Sequence, residues 1–407
     1  MLPQRGVHSA LAAQNWFELV TTPALDGIRV LDLASVGPGA RASRTLADYG
    51  AQVIKVGAVP RAGAVQITPP YYAYSGNRGV QRALFDLKAD SGREAFLALA
   101  ATSDVIIESF RPGVVDRLGI GYADVRSINA GIIYCSTSGF GQTGPRSSWA
   151  GHDINYLGVS GFLDCTGRQG DGRPALPGAT VADIAAGGMQ AAMSVMAALL
   201  RRASTGEGEL LDVSIADGSF ALMSLYVDEY LATGVEPGPG HYILTGRYAC
   251  YDVYTCSDGR HLAVGAIEPQ FWRNLVGLLG LEQYADQQMD DSAQDEIRAA
   301  IAAVFATRSR DAWVAELGPA NTCVTEVNTV AEAVLDEQYI SRGVVVDAEH
   351  VTEGPFRQSA PVWAGTVDPD GPYQIRDGAQ TDTAELLAAA GVDTSEIDKL
   401  TETGAIA

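Results

Sequence analysis

Through its first half the chain alternates short, unbroken apolar runs with stretches whose apolar positions recur at helical spacing. Residues 28–33, Ile-Arg-Val-Leu-Asp-Leu, read as a buried strand, and Gly37-Pro38-Gly39 as a tight turn opening a helix over about 40–49. The pattern recurs in strand 52–56, strand 83–87, helix 91–101, strand 105–108, a helix near 114–118 and strand 131–136. Apolar strands separated by helices predict a parallel sheet covered on both faces. A long apolar helix over 182–202 ends at the glycine-punctuated 203–208, followed by strand 210–216 and helix 218–231. The clearest linker is 234–240, rich in glycine and proline. Beyond it, strands 251–255 and 261–265 with helices near 270–279 and 293–306 predict a smaller α/β unit. The expected organisation is α/β: a large domain whose N-terminal part spans 1–225, a small domain over 226–332, and a C-terminal segment, 333–407, returning to the large domain.

Composition narrows the function. A chain of 407 residues exceeds one ordinary core, and 47% hydrophobic with 19% charged residues describes a soluble globular protein. A net charge of −21 argues against nucleic acid and anionic membranes, whose phosphates it would repel. The five cysteines (135, 165, 250, 256 and 323) are scattered and form no C-x-x-C pair, which predicts reduced thiols, no metal site and a cytoplasmic location. Residues 1–14 have no continuous apolar stretch and do not read as a secretion signal. The apolar stretch 184–200 falls short of a membrane span and reads as a buried helix.

The candidate chemistry sits in three places. Gly151-His152-Asp153-Ile154-Asn155-Tyr156 puts an imidazole in a loop beside a carboxylate. Asp183 begins the long apolar helix, and Glu268 lies in Gly265-Ala266-Ile267-Glu268-Pro269-Gln270-Phe271. Two proton-transfer groups of different chemistry, with a carboxylate to orient one of them, suit moving a proton on and off a carbon next to a carbonyl. Each has an ordinary role as well: His152 as a surface histidine, Asp183 as a helix cap, Glu268 as the residue before a helix-opening proline. Gly37-Pro38-Gly39-Ala40-Arg41-Ala42 matches a dinucleotide-binding turn, but the second strand ends Lys55-Val56-Gly57-Ala58 without the acidic residue that such a site needs. We therefore read it as a structural turn. Arg78, Arg82, Lys88, Arg93, Arg111 and Arg117 cluster in an acidic chain, either to cradle a phosphorylated ligand or as solvated surface charge. There is no G-x-S-x-G, H-E-x-x-H or P-loop, and three lysines make a Schiff base a poor expectation.

Together these segments resemble the α-methylacyl-CoA racemase branch of the family III CoA-transferase (CaiB/BaiF) superfamily. The superfamily carriers include Gly27-Ile28-Arg29-Val30-Leu31-Asp32-Leu33, Leu46-Ala47-Asp48-Tyr49-Gly50-Ala51, Asn77-Arg78-Gly79, Asp86-Leu87-Lys88, Glu108-Ser109-Phe110-Arg111-Pro112-Gly113, Arg117-Leu118-Gly119 and Gly141-Gln142-Thr143-Gly144-Pro145. The His152 and Glu268 segments are typical of the racemases. The resemblance implies a Rossmann-like large domain built from both chain ends, an interlocked homodimer, and an acyl-CoA thioester as substrate, with no separate cofactor. It implies that His152 and Asp183 are the acid/base pair on opposite faces of the α-carbon. Glu268 would orient His152, with Asp153 beside it, and Arg111 and Arg117 would hold or lie near CoA phosphates, with Arg78 and Lys88 as further candidates. The racemases carry an arginine just after the second strand, where this chain has Gly57-Ala58-Val59-Pro60 and then Arg61. The rival expectation is CoA transfer with Asp183 as the acyl-accepting nucleophile. A third is a CoA-binding regulator with a decayed site.

Overall fold

The computed structural model describes residues 22–34, 36–60, 70–73, 78–366 and 371–407. Residues 1–21, Arg61 and Asn77 lie outside them. The chain divides into two compact units: 1–153, 181–218 and 343–407 form the first, and 154–180 with 219–342 the second. The boundaries differ from the sequence expectation chiefly in assigning 154–180 to the second unit.

The first unit is built on six strands, β1 (Arg29–Asp32), β2 (Gln52–Ala58), β3 (Gln81–Phe85), β4 (Val105–Glu108), β5 (Ile133–Ser138) and β6 (Glu209–Ser214). All pair in parallel, in the order β3-β2-β1-β4-β5-β6. Alternate side chains feed two cores, as the twofold period of a strand requires. Leu31, Ile54, Phe85, Ile106 and Tyr134 enter one, with Phe96 and Leu99 of helix Asp90–Ala101 and Leu386, Leu387 and Leu400 from the chain's end. Val30, Val53, Val105, Ile107 and Cys135 enter the other, against helices Gly37–Asp48 and Gln190–Thr205. The C-terminal segment therefore completes the large domain: Asp86 N–H donates to Ala405 O at 2.8 Å, and Leu84 N–H to Thr383 Oγ1 at 2.9 Å.

The expected single helix over 182–202 is two helices in tandem, a π-helix Ala182–Met189 and the α-helix Gln190–Thr205. The pair spans 24 residues, and its most apolar 18 have a mean hydropathy of 1.3, long and apolar enough to cross a membrane, but the apolarity has a local cause. Ala191, Ala192, Val195 and Ala198 are buried in the core beside β5 and β6.

The second unit contains an antiparallel sheet of β7 (Tyr251–Thr255), β8 (His261–Gly265) and β9 (Val324–Glu326), in that order. Helices Pro269–Leu278, Gln294–Phe305 and Arg310–Leu317 cover it through Trp272, Leu275, Ile297, Phe305 and Trp313. The helix expected over 218–231 is broken at Met223 into Ile215–Leu222 and Ser224–Thr233. Three short strands of the first unit, β10 (Val345–His350), β11 (Gly354–Ser359) and β12 (Tyr373–Ile375), were not legible as a sheet in the sequence.

Candidate active site

The sheet topology fixes where chemistry can gather. Chain direction reverses its progress across the sheet between β1 and β4, and in open parallel sheets ligands sit at the carboxyl ends of the strands beside that point. Residues 139–153 leave β5 from its carboxyl end. The helix leading from there into parallel β6 must run opposite to the strands, so its first turn stands at the same edge. His152, Asp153 and Asp183 thus arrive at one end of the sheet from the two ends of the single long connection between β5 and β6.

Asp183 occupies the first turn of the π-helix, a wider winding often found at functional sites. Two glycines let that turn lie against the start of helix Gly37–Asp48. A Cβ on Gly187 would stand 2.6 Å from Pro38 Cβ, and one on Gly188 would stand 2.9 Å from Arg41 Cβ. The approach brings Arg41 within electrostatic reach of the carboxylate. Burial is the main cause that pushes the half-buried Asp183 carboxyl above its ordinary range. The neighbouring Asp153 charge adds to the rise, and Arg41 and then His152 oppose it. Asp153 Oδ1 accepts the Asp183 N–H at 2.9 Å, so Asp153 satisfies one of the first amides of that helix, whose N-cap is Val181. His152 is exposed and lies within electrostatic reach of Asp183.

Glu268 belongs to the second unit. It is the residue before helix Pro269–Leu278, with Pro269 at the first helical position, as its sequence suggested. Its side chain is exposed and does not cap that helix.

The basic residues separate into two groups. Arg78 is 2% exposed: Nη2 meets Asp48 Oδ1 at 3.1 Å, Nη1 donates to Ser359 O at 2.7 Å, and the guanidinium lies 4.7 Å from the centre of the Tyr373 ring. That placement gives Arg78 a structural role, because it ties helix Gly37–Asp48 to the C-terminal segment. Arg82 donates to Gly378 O, and Arg93 pairs with Asp90 at 2.9 Å. Arg111, Arg117 and Lys88 are exposed. Arg111 and Arg117 follow β4 directly, beside the point where strand order reverses, and Lys88 follows β3. The glycine turn holds no acidic partner: Lys55 of β2 pairs with buried Asp32 and donates to Ser43 Oγ at 3.3 Å. A Cβ on Gly39 would stand 2.6 Å from Ala34 Cβ, so the turn serves close packing of helix on sheet.

Two polar residues escaped the sequence reading. Arg41 was noted only as part of the glycine turn, although it is the cation nearest in effect to Asp183. Glu108, at the carboxyl end of β4, is 2% exposed and its carboxyl is raised by burial, while Phe110 N–H donates to Oε2 at 2.7 Å. Among the described residues no group of three or more histidine, cysteine or acidic side chains could hold a metal ion.

A family model for CoA-transferase family III matches residues 25–372. The chain is 34% identical to an α-methylacyl-CoA racemase of Mus musculus over 382 residues, covering 92% of this chain and 96% of that one. It is 33% identical to a succinate–glutarate CoA-transferase of Agrobacterium fabrum, covering 80% and 86%. Among solved structures, a CaiB/BaiF family protein of Brucella suis superposes with a TM-score of 0.71 at 29% identity, over 91% of this chain and all of that one.

Proposed function

The chain belongs to CoA-transferase family III, and on that premise we propose that it racemises 2-methylacyl-CoA thioesters by 1,1-proton transfer at C2. One group removes the α-proton, a thioester enolate forms, and the other group returns a proton to the opposite face. The observation that carries this reading is the cluster of His152, Asp153 and Asp183, in which Asp153 accepts the Asp183 N–H and burial raises the Asp183 carboxyl above its ordinary range. A raised carboxyl and an imidazole can alternate as proton donor and acceptor, and turnover exchanges their roles. Each positioned group supplies roughly two to four orders of magnitude, and stabilisation of the enolate oxygen must supply much of the rest.

In this reading Glu268 orients the His152 imidazole, supported by the resemblance of residues 265–271 to the racemases. Arg111, Arg117 and Lys88 engage the CoA phosphates, supported by their exposure beside the carboxyl ends of β4 and β3. The interlocked homodimer and the cytoplasmic location belong to the same proposal, as does a place in the metabolism of branched acyl chains.

CoA transfer remains the rival, because relatives of both kinds match the chain. There Asp183 would attack an acyl-CoA carbonyl and pass through an anhydride and an aspartyl thioester. The His152 and Glu268 segments favour the racemase, because nucleophilic transfer through Asp183 has no need for that pair. Incubation with 2-methylacyl-CoA in deuterium oxide distinguishes the two. Deuterium entering C2 without an added acceptor acid supports racemisation. A hydroxylamine adduct at Asp183 with no label at C2 refutes it in favour of transfer.

A further inference from the structure

We propose that Gln288 is a positioning residue for Glu268. This rests on the reading of Glu268 as a functional carboxylate. Residues 265–268 leave the end of β8 and bend into helix Pro269–Leu278. Such a bend exposes carbonyls that no strand partner satisfies, and two of them point inward. The Gln288 amide, 8% exposed, donates through Nε2 to Ala266 O at 2.9 Å and to Ile267 O at 2.7 Å. Both bonds lie within two residues of Glu268. Gln288 is itself fixed: Gln294 Nε2 donates to Gln288 O at 3.3 Å and to Asp290 O at 2.8 Å, while its Oε1 accepts Ala249 N–H at 2.8 Å. The other side of the bend is held by backbone, with Ala266 N–H on Cys250 O at 2.8 Å and Gly265 N–H on Cys323 O at 2.9 Å.

Cys323 adds an independent sign that this segment is over-determined. It has φ +54°, a left-handed conformation that non-glycine residues rarely adopt, and Asn321 two residues earlier has φ +61°. The strained loop places the Cys323 carbonyl on Gly265 and its thiol within electrostatic reach of Glu268, whose charge, after burial, raises the thiol. An exposed carboxylate on an exposed loop would sample many directions. Here a buried amide clamps the two peptides before it, which fixes the Cα–Cβ bond from which the carboxylate reaches out.

The test measures α-proton loss from each enantiomer of a 2-methylacyl-CoA by E268Q, Gln288→Met and the double variant. Alongside it, the pH dependence of Cys323 alkylation is followed in a C165S background. Gln288→Met keeps the side chain's length and removes both donors, and Gln288→Asn, too short to span both carbonyls, replaces it should the first fail to fold. The expected result is a loss of about tenfold in exchange from one enantiomer, the one E268Q affects, with the double variant no worse than E268Q alone. The thiol pKa of Cys323 falls in the Gln288 variant as it does in E268Q. Equal losses with both enantiomers, additive losses in the double variant, or a Cys323 pKa that falls in E268Q alone would overturn the proposal. Should E268Q leave both exchange rates intact, the reading of Glu268 fails, and the thiol titration still shows whether Gln288 holds that carboxylate.

Discussion

Asp183 and Glu268 are both acidic residues at the start of a helix, and the molecule treats them in opposite ways. Asp183 is half-buried in a winding that two glycines press against a neighbouring helix, surrounded by Asp153, Arg41 and His152. Glu268 is exposed, and hydrogen bonds from Gln288 hold the backbone that precedes it. The first arrangement changes the acidity of a carboxyl, and the second fixes the backbone on which a carboxylate stands. A group that must hold and release a proton benefits from the first, whereas a group that orients a neighbour needs the second.

Replacing Asp183 by Asn gives the largest effect. Proton transfer falls by roughly two to four orders of magnitude, while thermal stability rises at pH 8. The sign follows from linkage: a carboxyl whose folded pKa exceeds its unfolded value costs stability once it must ionise in the folded state. The gain should be full above the folded pKa and vanish as pH falls below the ordinary carboxylate range. Melting curves of both proteins across that range check it, and a stability loss at pH 8 would break the contrast. A smaller effect sharpens it. Gly187→Ala forces a Cβ to within 2.6 Å of Pro38 Cβ, which should cost about 1–3 kcal/mol and lower kcat as the π-helix shifts. At Gly265 a Cβ would meet nothing closer than 3.9 Å, so Gly265→Ala should be close to neutral in denaturant titration.

The sequence carried the sheet because β1, β2, β4, β7 and β8 are short apolar or alternating runs that only strands explain. His152, Asp153, Asp183 and Glu268 were each flagged by local motif, and the structure brings the first three of them together. It did not carry the π-helix: the residues 182–189 are apolar and small, compatible with any helical winding, and the winding is set by packing on Pro38 and Arg41 more than a hundred residues earlier. The arginines show the same limit. Arg78 and Arg111 have equal standing in a charge count. Arg78 lies in the core because Asp48, Ser359 and Tyr373 converge on it from distant segments, while Arg111 follows a strand end into solvent. Gln288 had no signal at all, since a glutamine that satisfies two carbonyls is defined only by the bend it fills.

The central claim is that His152 and Asp183 serve opposite faces of one α-carbon. It is tested most directly by following deuterium exchange at C2 of each 2-methylacyl-CoA enantiomer with His152→Ala. The account predicts that α-proton loss from one enantiomer collapses while loss from the other, served by Asp183, persists. Equal and minor losses with both enantiomers would contradict it.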